Sequence, residues 1–263
     1  QHAAGKLTAR ERLELLFDTG SFQEYNLFMK HRCHDFGMEK ISTPAEGVVT
    51  GYGLVNGRGV FAFAHDFTVL GGAMGEMQGM KVKRMQELAL DAGLPFVGLN
   101  DSGGARIQEG PSTSYGNIFY NNVMASGVIP QISAIMGPCA GGTVYSPALT
   151  DFILSVNGTS RSFITVPAVI KNVTGEIVDA ETLGGAKTHN TLSGVSHFFC
   201  QDDADCIYKI KRLLSFFPAN CREQPPVYAC NDDPNRRCER LNTLVPESLK
   251  KAYNIKEIIR EIA

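Results

Sequence analysis

Two segments of this chain share one design, in which a short apolar strand runs directly into a cluster of glycines and then into a helix. The first covers residues 96–110, FVGLNDSGGARIQEG, and the second covers residues 132–145, ISAIMGPCAGGTVY. Glycines at a strand-to-helix turn allow positive φ and let a ligand approach main-chain N–H groups with no Cβ atom in the way. Each turn can therefore present amide donors. One donor from each turn, converging on a single point, would form an oxyanion hole.

The order of the elements around these turns predicts the fold class. Helical patterns over 75–92 and 114–125, and a helix of small residues after Gly141, alternate with apolar strands over 96–99 and 131–136. Alternation of this kind favours parallel strands with right-handed crossovers, and hence an α/β layer. We therefore expect the functional site at the ends of the strands.

The N-terminal part of the chain predicts a helix followed by a hairpin. Thr8 and Glu11 form a capping box that starts the helix, and Gly20 can close it. Residues 47–65 are apolar and β-branched except at Asn56–Gly57, a dipeptide suited to a type I′ turn. This segment therefore predicts two antiparallel strands.

The length of 263 residues allows one large domain or two small ones. We assign residues 1–217 to one α/β domain, whose last amphipathic helix ends near Phe217, and residues 218–263 to a proline-punctuated linker or arm. The helical stretch over 255–263 has no capping residue after it, so we expect the chain to be the first part of a longer protein with a further C-terminal domain.

Composition excludes several classes of function. Lys and Arg number 25 against 27 Asp and Glu, so no global positive charge favours nucleic acid. No apolar run reaches the roughly 18 residues that cross a bilayer, and we expect a cytoplasmic protein, or a mitochondrial matrix protein if the source is eukaryotic. The seven cysteines contain no C-x-x-C pair, so reduced thiols are expected. The nearest approach to a metal cluster is residues 31–34, HRCH, and we expect no metal there because alternate residues of a strand point to opposite faces.

Six segments of the sequence are distinctive. They are DFTVLGG at 66–72, LNDSGGARIQEG at 99–110, ASGVIPQI at 125–132, MGPCAGG at 136–142, YSPALTD at 145–151 and LGGAKTH at 183–189. Together they resemble the carboxyltransferase subunit of biotin-dependent acyl-CoA carboxylases. The resemblance is strongest to the branch of propionyl-CoA carboxylase β, methylmalonyl-CoA decarboxylase α and transcarboxylase large subunits, and it spans nearly the whole chain.

This resemblance implies a crotonase-like (ClpP/crotonase) spiral of βα units and one half of a two-domain subunit. It implies that the chain transfers a carboxyl group between carboxybiotin and a short acyl-CoA, with propionyl- or methylmalonyl-CoA favoured. Biotin would be carried by a partner protein or domain, and coenzyme A would enter as part of the substrate. The implied partners are biotin carboxyl carrier and biotin carboxylase subunits, or a decarboxylase complex. Full-length members of the family assemble as homo-hexamers.

The chemistry of carboxylation indicates which residues matter. Removing a proton beside a thioester generates an enolate, whose oxygen must be held by donors already in place. By comparison with the family, the donors are amides within Gly103, Gly104 and Ala105 of the first turn and within Gly141 and Gly142 of the second, with the choice inside each group open. No side-chain base is expected, because the resemblance implies that the biotin ring itself takes the proton from the carbon beside the thioester. The candidate substrate-binding residues are Tyr145, Arg106, Lys187, His189, Gly71 and Gly72.

Four other functions compete with this one. A sodium-pumping acyl-CoA decarboxylase uses a similar subunit in the opposite direction. A crotonase-type hydratase or isomerase has the same fold, but it places a Glu where this chain has Tyr145, a poor base at neutral pH. A ClpP-like protease would recruit Ser102, His65 and Asp101. An assembly module without catalytic activity is the fourth.

Two further predictions concern charged side chains near the turns. Arg106 and Glu109 could also form a structural ion pair with each other or with Asp101. Lys81, Lys83 and Arg84 could meet CoA phosphates, but a solvated helix face is the favoured interpretation.

Overall fold

One mixed β-sheet organises most of the chain. The computed structural model describes residues 1–110 and 114–262, and the chain divides into two compact units, Gln1–Pro226 and Val227–Ala263. Eight strands belong to the sheet in the described part of the chain. They are β1 (Gln23–Tyr25), β2 (Val48–Val55), β3 (Arg58–His65), β4 (Phe96–Ser102), β5 (Gln131–Ala140), β6 (Phe152–Val156), β7 (Arg161–Phe163) and β8 (Phe198–Cys200).

Helices cover both faces of this sheet and connect its strands. The α-helices of the first unit are α1 (Ala9–Leu16), α2 (Glu76–Ala92), α3 (Ser114–Ala125), α4 (Gly142–Ala148), α5 (Pro167–Thr174), α6 (Ala180–Gly184), α7 (Ala186–Thr191) and α8 (Asp203–Leu214). Short 3₁₀ helices occupy His2–Ala4, Asp35–Lys40, Pro44–Gly47, Leu70–Gly72 and Ile107–Glu109. No helix within residues 1–110 and 114–262 is long and apolar enough to cross a membrane.

The sheet changes from antiparallel to parallel pairing at β3. Its order is β1-β2-β3-β4-β5-β6-β8, with β7 pairing to the end of β5. The hairpin of β2 and β3 turns at Asn56 and Gly57, with φ of 51° and 77°, as a type I′ turn requires. From β3 onward every pair is parallel, which confirms the α/β layer predicted from the alternation of elements.

The core has two layers because side chains of a strand alternate between faces. On β3, Val60, Ala62 and Ala64 pack toward α1 and α8, whereas Phe61 and Phe63 pack toward α2 and α3. The strands are therefore buried on both faces, as expected of a parallel sheet between helices.

The structure changes two predicted boundaries. Helix α1 ends at Leu16 rather than at Gly20, because Phe17 is already extended and the Asp18 amide bonds to the carbonyl of Leu54, 2.7 Å away. Gly20, with φ of 75°, belongs to the turn that follows. Strands β4 and β5 continue beyond residues 99 and 136, to Ser102 and Ala140, so each strand carries its glycine turn at its tip.

The second unit contains helices α9 (Leu241–Leu244) and α10 (Ile255–Ile262). Helix α10 confirms the helical stretch predicted at the end of the sequence. The guanidinium of Arg240 lies 3.4 Å from the carboxylate of Glu261, and the guanidinium of Arg236 lies 2.8 Å from that of Asp232.

Candidate functional site

The two glycine turns lie side by side at the carboxyl ends of β4 and β5. Ser102 and Cys139 are partners across the two strands, after a shift of register between Asn100 and Ser102. A Cβ atom built on Gly104 would lie 3.0 Å from the carbonyl oxygen of Ala140, so the first turn touches the second. The φ of Gly104 is +112°, a conformation that L-residues rarely adopt, and glycine is therefore needed there.

Most of the amides at these turns are already hydrogen-bonded within the chain. The N–H of Gly103 donates to the carbonyl of Gly71 over 2.9 Å, and that of Gly104 donates to Oγ of Ser102 over 3.2 Å. In the second turn, the N–H of Gly141 donates to the carbonyl of Phe163 over 3.3 Å. The amides of Ala105 and Gly142 have no acceptor among residues 1–110 and 114–262, so each turn presents a free donor.

The direction of the Ala105 amide is fixed by its neighbours. The carbonyl of Gly104 accepts the N–H of Met74 over 2.8 Å, and the N–H of Arg106 donates to the carbonyl of Met74 over 2.9 Å. In a trans peptide the N–H points opposite to the C=O of the same unit. The N–H of Ala105 therefore points away from Met74.

Gly71 and Gly72 contact the backbone of the first turn and of the strand that leads into it. The carbonyl of Gly71 accepts the N–H of Gly103, and Gly72 lies against the backbone of Asp101, where an added Cβ atom would overlap the Asp101 carbonyl oxygen. The φ of Gly72 is +64°, so this position requires glycine for both its conformation and its space.

A buried ionic network holds the strand that leads into the first turn. The carboxylate of Asp101 accepts from the ammonium of Lys6 at 2.9 Å and from the guanidinium of Arg12 at 3.0 Å. Arg12 also pairs with Asp203 over 2.8 Å and donates to the carbonyl of Met136 on β5 over 3.1 Å. The N-terminal segment therefore contacts the bases of both turns.

The Arg106–Glu109 ion pair predicted from the sequence is confirmed, at 2.7 Å. A second partner, Glu46, lies 2.5 Å from the same nitrogen of Arg106. The guanidinium also donates to the carbonyl of Ala73 over 3.0 Å, and the residue is only 3% exposed. This burial does not support the substrate contact expected of Arg106, whose side chain instead braces the turn just after Ala105.

Three hydroxyls line the other side of the site. Oγ1 of Thr143 lies 2.8 Å from the phenol of Tyr115 and donates to Oγ of Ser102 over 3.3 Å. Burial raises the pKa of Tyr115 to about 12. A Cβ atom at Gly142 would lie 2.8 Å from the Tyr115 ring, so the second turn rests on that ring. Tyr145, 41% exposed, stacks edge-on against Phe119 at 5.9 Å between ring centroids.

Lys187 and His189 lie on α7, beside the strand that pairs with the second turn. The Nε2 atom of His189 is 2.7 Å from the carbonyl oxygen of Ser162 on β7, and its Nδ1 atom is 2.9 Å from Oγ of Ser193. Both ring nitrogens are thus engaged, and His189 acts on the second turn through β7. The side chain of Lys187 is exposed.

The protease alternative finds no triad in this arrangement. His65 is 1% exposed, and its ring nitrogens have no hydrogen-bond partner among the described residues. Oγ of Ser102 bonds to Gly104 and Thr143, and Asp101 bonds to Lys6 and Arg12, so neither residue activates the other. Desolvation by burial lowers the pKa of His65 to about 4.

The interpretation of Lys81 as part of a solvated face is wrong. Its ammonium is buried and donates to the carbonyls of Ala45, over 2.7 Å, and Val48, over 2.6 Å. Desolvation lowers its pKa to about 8. Lys83 and Arg84 do lie at the surface, where both pair with Glu87.

Sequence reasoning missed the supporting residues more than the glycines. Arg12 had a readable signal, since it lies three residues after Ala9 and four before Leu16 on the inward stripe of α1. Lys6, Glu46 and Thr143 had none, because their partners are far away along the chain.

Comparison with known proteins places these observations in a family. The family model described as carboxyl transferase domain matches residues 1–263. The α subunit of methylmalonyl-CoA decarboxylase from Veillonella parvula is 58% identical over 261 residues, which are 98% of this chain and 51% of that protein. The mitochondrial propionyl-CoA carboxylase β chain from Homo sapiens is 51% identical over 266 residues, which cover this whole chain and 49% of that protein.

Solved structures give the same result. Transcarboxylase 12S, a hexamer crystallised with hydrolysed methylmalonyl-coenzyme A, superposes with a TM-score of 0.92 at 50% identity, over 100% of this chain and 51% of that one. The β subunit of geranyl-CoA carboxylase from P. aeruginosa superposes with a TM-score of 0.72 at 28% identity, over 100% of this chain and 48% of that one. These neighbours confirm the expected crotonase-like α/β fold. The chain spans about half the length of the curated relatives it matches.

Proposed function

The chain belongs to the carboxyl transferase domain family, and we propose that it is the acyl-CoA-binding half of a biotin-dependent carboxyltransferase subunit. The observation that carries this proposal is the pair of free amides, at Ala105 and Gly142, on two turns that touch each other. We propose residues 1–217 as the acyl-CoA-binding domain and residues 218–263 as the connection toward a second domain.

The two amides suit the charge that develops during carboxyl transfer. When a proton leaves the carbon beside a thioester, negative charge gathers on the thioester oxygen, which becomes the enolate oxygen. Main-chain N–H groups stabilise this charge without titrating, and the loss of one such donor typically raises a barrier by about 3 to 4 kcal/mol. Ala105 and Gly142 are the donors in this proposal, and Gly103, Gly104 and Gly141 shape the turns.

The other candidate residues divide into support and contact. Gly71 and Gly72 support the first turn, and His189 braces the second through β7. Tyr145 offers a half-exposed aromatic wall for the acyl group, and Lys187 offers an exposed charge toward the coenzyme A moiety.

Both the carboxyl group and the base for the α-proton come, in this proposal, from carboxybiotin carried by a partner protein or domain. Tyr145 stands where hydratases of the same fold place a glutamate, and a phenol is a poor base at neutral pH, which supports this assignment of the base. The chain itself binds and orients the thioester. Its partners would be the biotin carboxyl carrier and biotin carboxylase subunits, or a decarboxylase complex, in the cytoplasm, and the complete subunit would assemble as a homo-hexamer.

The substrate pair we favour is propionyl-CoA and methylmalonyl-CoA. A decarboxylase role, in which the carboxyl group moves from methylmalonyl-CoA to biotin, is the second candidate. It is supported by the higher identity to a decarboxylase α subunit, 58%, than to a carboxylase β chain, 51%.

Calorimetry tests the binding step on this chain directly. We expect propionyl-CoA to bind more tightly than free coenzyme A, because only the thioester reaches the two amides. Gly142→Ala should weaken propionyl-CoA binding, since the added Cβ atom would lie 2.8 Å from the Tyr115 ring and displace the turn. Gly116→Ala is the matched control, because a Cβ atom there meets nothing within 4 Å.

Equal affinity for propionyl-CoA and free coenzyme A would reject the proposed site. Hydration of crotonyl-CoA by the chain without biotin would favour the hydratase alternative instead. The direction of transfer is tested in the complete subunit, by supplying either carboxybiotin with propionyl-CoA or biotin with methylmalonyl-CoA.

A further inference from the structure

We propose that the hydroxyl of Thr143 is a positioning group that sets the separation of the two free amides, an inference that rests on the proposed function. Thr143 directly follows Gly142 in the second turn and is 2% exposed. Its Oγ1 atom donates over 3.3 Å to Oγ of Ser102, which belongs to the tip of β4 and is fully buried. This hydrogen bond joins side chains of the two turns directly.

The hydroxyls form a chain with a defined direction. Oγ of Ser102 accepts the N–H of Gly104 over 3.2 Å as well as the hydroxyl of Thr143. Thr143 has a single hydroxyl proton, so the phenol of Tyr115, 2.8 Å away, must be the donor to Thr143. The raised pKa of Tyr115, about 12, keeps that phenol protonated at neutral pH. Every hydrogen bond in the chain is therefore satisfied in one orientation.

This series of hydroxyl hydrogen bonds connects the residues next to the two free amide donors. At one end, Ser102 fixes the amide of Gly104, and the next amide is the free N–H of Ala105. At the other end, Thr143 is the next residue after Gly142, whose N–H is free. Stabilising an oxyanion requires both donors at about 2.7 to 3.1 Å from one oxygen, so a small change in the gap between the turns matters.

The sheet alone does not fix this gap. The regular register of β4 and β5 breaks between Asn100 and Ser102, and beyond Ser102 the first turn leaves the sheet. The hydrogen bond from Thr143 joins the second turn to Ser102, which is the last residue of β4 that pairs with β5, and so connects the two turns at the point where strand pairing ends. Thr143 does this through Ser102 rather than by touching the thioester, so it is a positioning residue and not a catalytic one.

The test compares two ligands on three proteins. Propionyl-CoA presents a neutral thioester oxygen, whereas a coenzyme A thioether that carries a nitronate presents negative charge where the enolate oxygen would be. Thr143→Val keeps the shape of the side chain and removes the hydroxyl, and Thr143→Ser keeps the hydroxyl. We expect Thr143→Val to bind the nitronate about tenfold more weakly and propionyl-CoA within about twofold of the unaltered chain, and Thr143→Ser to bind both ligands like the unaltered chain.

A second variant protects the test against a loss of folding. Ser102→Ala removes the acceptor of the same hydrogen bond and should produce the same selective loss for the nitronate. Ser102→Ala also removes the acceptor of the Gly104 N–H, but both substitutions break the hydrogen bond between Thr143 and Ser102, so the loss in the double variant should be smaller than the sum of the two single losses. Thermal unfolding of each variant, monitored by circular dichroism, confirms that the folded protein is compared.

The outcomes separate this inference from the proposed function. If Thr143→Val weakens both ligands equally or neither, or if Thr143→Ser loses the nitronate as well, the positioning role is overturned while binding of propionyl-CoA still supports the proposed function. If the unaltered chain binds neither ligand, the proposed function fails and this inference fails with it.

Discussion

The ammonium of Lys6 lies 2.9 Å from the carboxylate of Asp101, in an ion pair that is buried on both sides, with side-chain exposures of 7% and 0%. The guanidinium of Arg12 lies 3.0 Å from the same carboxylate and 2.8 Å from that of Asp203. Asp101 immediately precedes the glycine turn that carries Ala105. The first dozen residues thus lock β4 in place where the candidate site begins, although they lie about 90 residues away along the chain.

Asp101→Asn should strongly destabilise the protein. The substitution leaves two buried cations, Lys6 and Arg12, without the carboxylate that neutralises them, and such a loss typically costs about 3 to 5 kcal/mol. The space around Asp101 is also tight, since a Cβ atom on Gly137 would overlap its carboxylate. Urea unfolding at neutral pH measures the change in the free energy of unfolding.

Glu87→Gln provides the control for this change. Glu87 pairs with Lys83 at 3.0 Å on the surface of α2, where both side chains are more than a third exposed, and removal of such an i, i+4 pair costs about 0.3 to 0.5 kcal/mol. Similar costs for the two variants would contradict the structural importance assigned to the Asp101 network.

Gly72→Ala should cost more than its backbone conformation alone explains. Gly72 has φ of +64°, and an added Cβ atom would overlap the carbonyl oxygen of Asp101. Gly127 has a similar φ, +71°, but nothing lies within 4 Å of a Cβ atom there. We expect about 1 kcal/mol of destabilisation for Gly127→Ala, from the left-handed conformation, and at least about 2 kcal/mol more for Gly72→Ala. Equal destabilisation by Gly72→Ala and Gly127→Ala in thermal unfolding would mean that the Leu70–Gly72 turn shifts at no cost to make room for the added Cβ atom.

Glu46→Gln should weaken the ionic contacts that hold the first turn without changing any residue of the turn itself. Glu46 is fully buried 2.5 Å from Arg106, the residue after Ala105, and Glu109 remains as the only carboxylate partner that the structure describes for that guanidinium. We expect a loss of about 3 kcal/mol in stability and weaker binding of propionyl-CoA by calorimetry. Glu76→Gln, which removes the exposed partner of Arg32, should change neither quantity. An unchanged affinity in Glu46→Gln would separate this ion cluster from the site.

Local sequence signals predicted the helices, strands and turns, whereas contacts between distant residues determined which amides of the two glycine turns are free. The capping box at Thr8, the Asn56–Gly57 turn and the glycine clusters are each complete within a few residues, so they could be read directly from the sequence. The free donors could not be chosen in advance, because the amides of Gly103 and Gly141 are occupied by the distant carbonyls of Gly71 and Phe163.

The burial of Lys81 could not be predicted from the sequence for the same reason, since its contacts are with distant residues. Lys81 stands next to Lys83 and Arg84 in sequence, yet it shares the inward face of α2 with Met85, four residues on, and is fully buried. Its ammonium donates to the carbonyls of Ala45 and Val48, which belong to a segment more than 30 residues earlier in the chain.

The stability of the protein should depend on pH through His65. Burial lowers its pKa to about 4 from 6.5, with Asp101 partly opposing that change and Arg12 adding to it. Between pH 6.5 and pH 4 the unfolded chain binds a proton that the folded chain does not, so the free energy of unfolding falls as the pH falls through this window. A difference of that size corresponds to about 3 kcal/mol, lost progressively and complete below pH 4.

His65→Leu isolates this contribution, because leucine cannot titrate and has a similar volume. We expect the stability difference between the unaltered protein and His65→Leu to shift by about 3 kcal/mol in favour of the variant between pH 7 and pH 4, as measured by urea unfolding at each pH. His34 is exposed, so His34→Gln should leave the pH dependence unchanged. If His65→Leu and the unaltered protein lost stability in parallel on acidification, His65 would bind a proton as readily in the folded protein as in the unfolded chain, and the lowered pKa would be wrong.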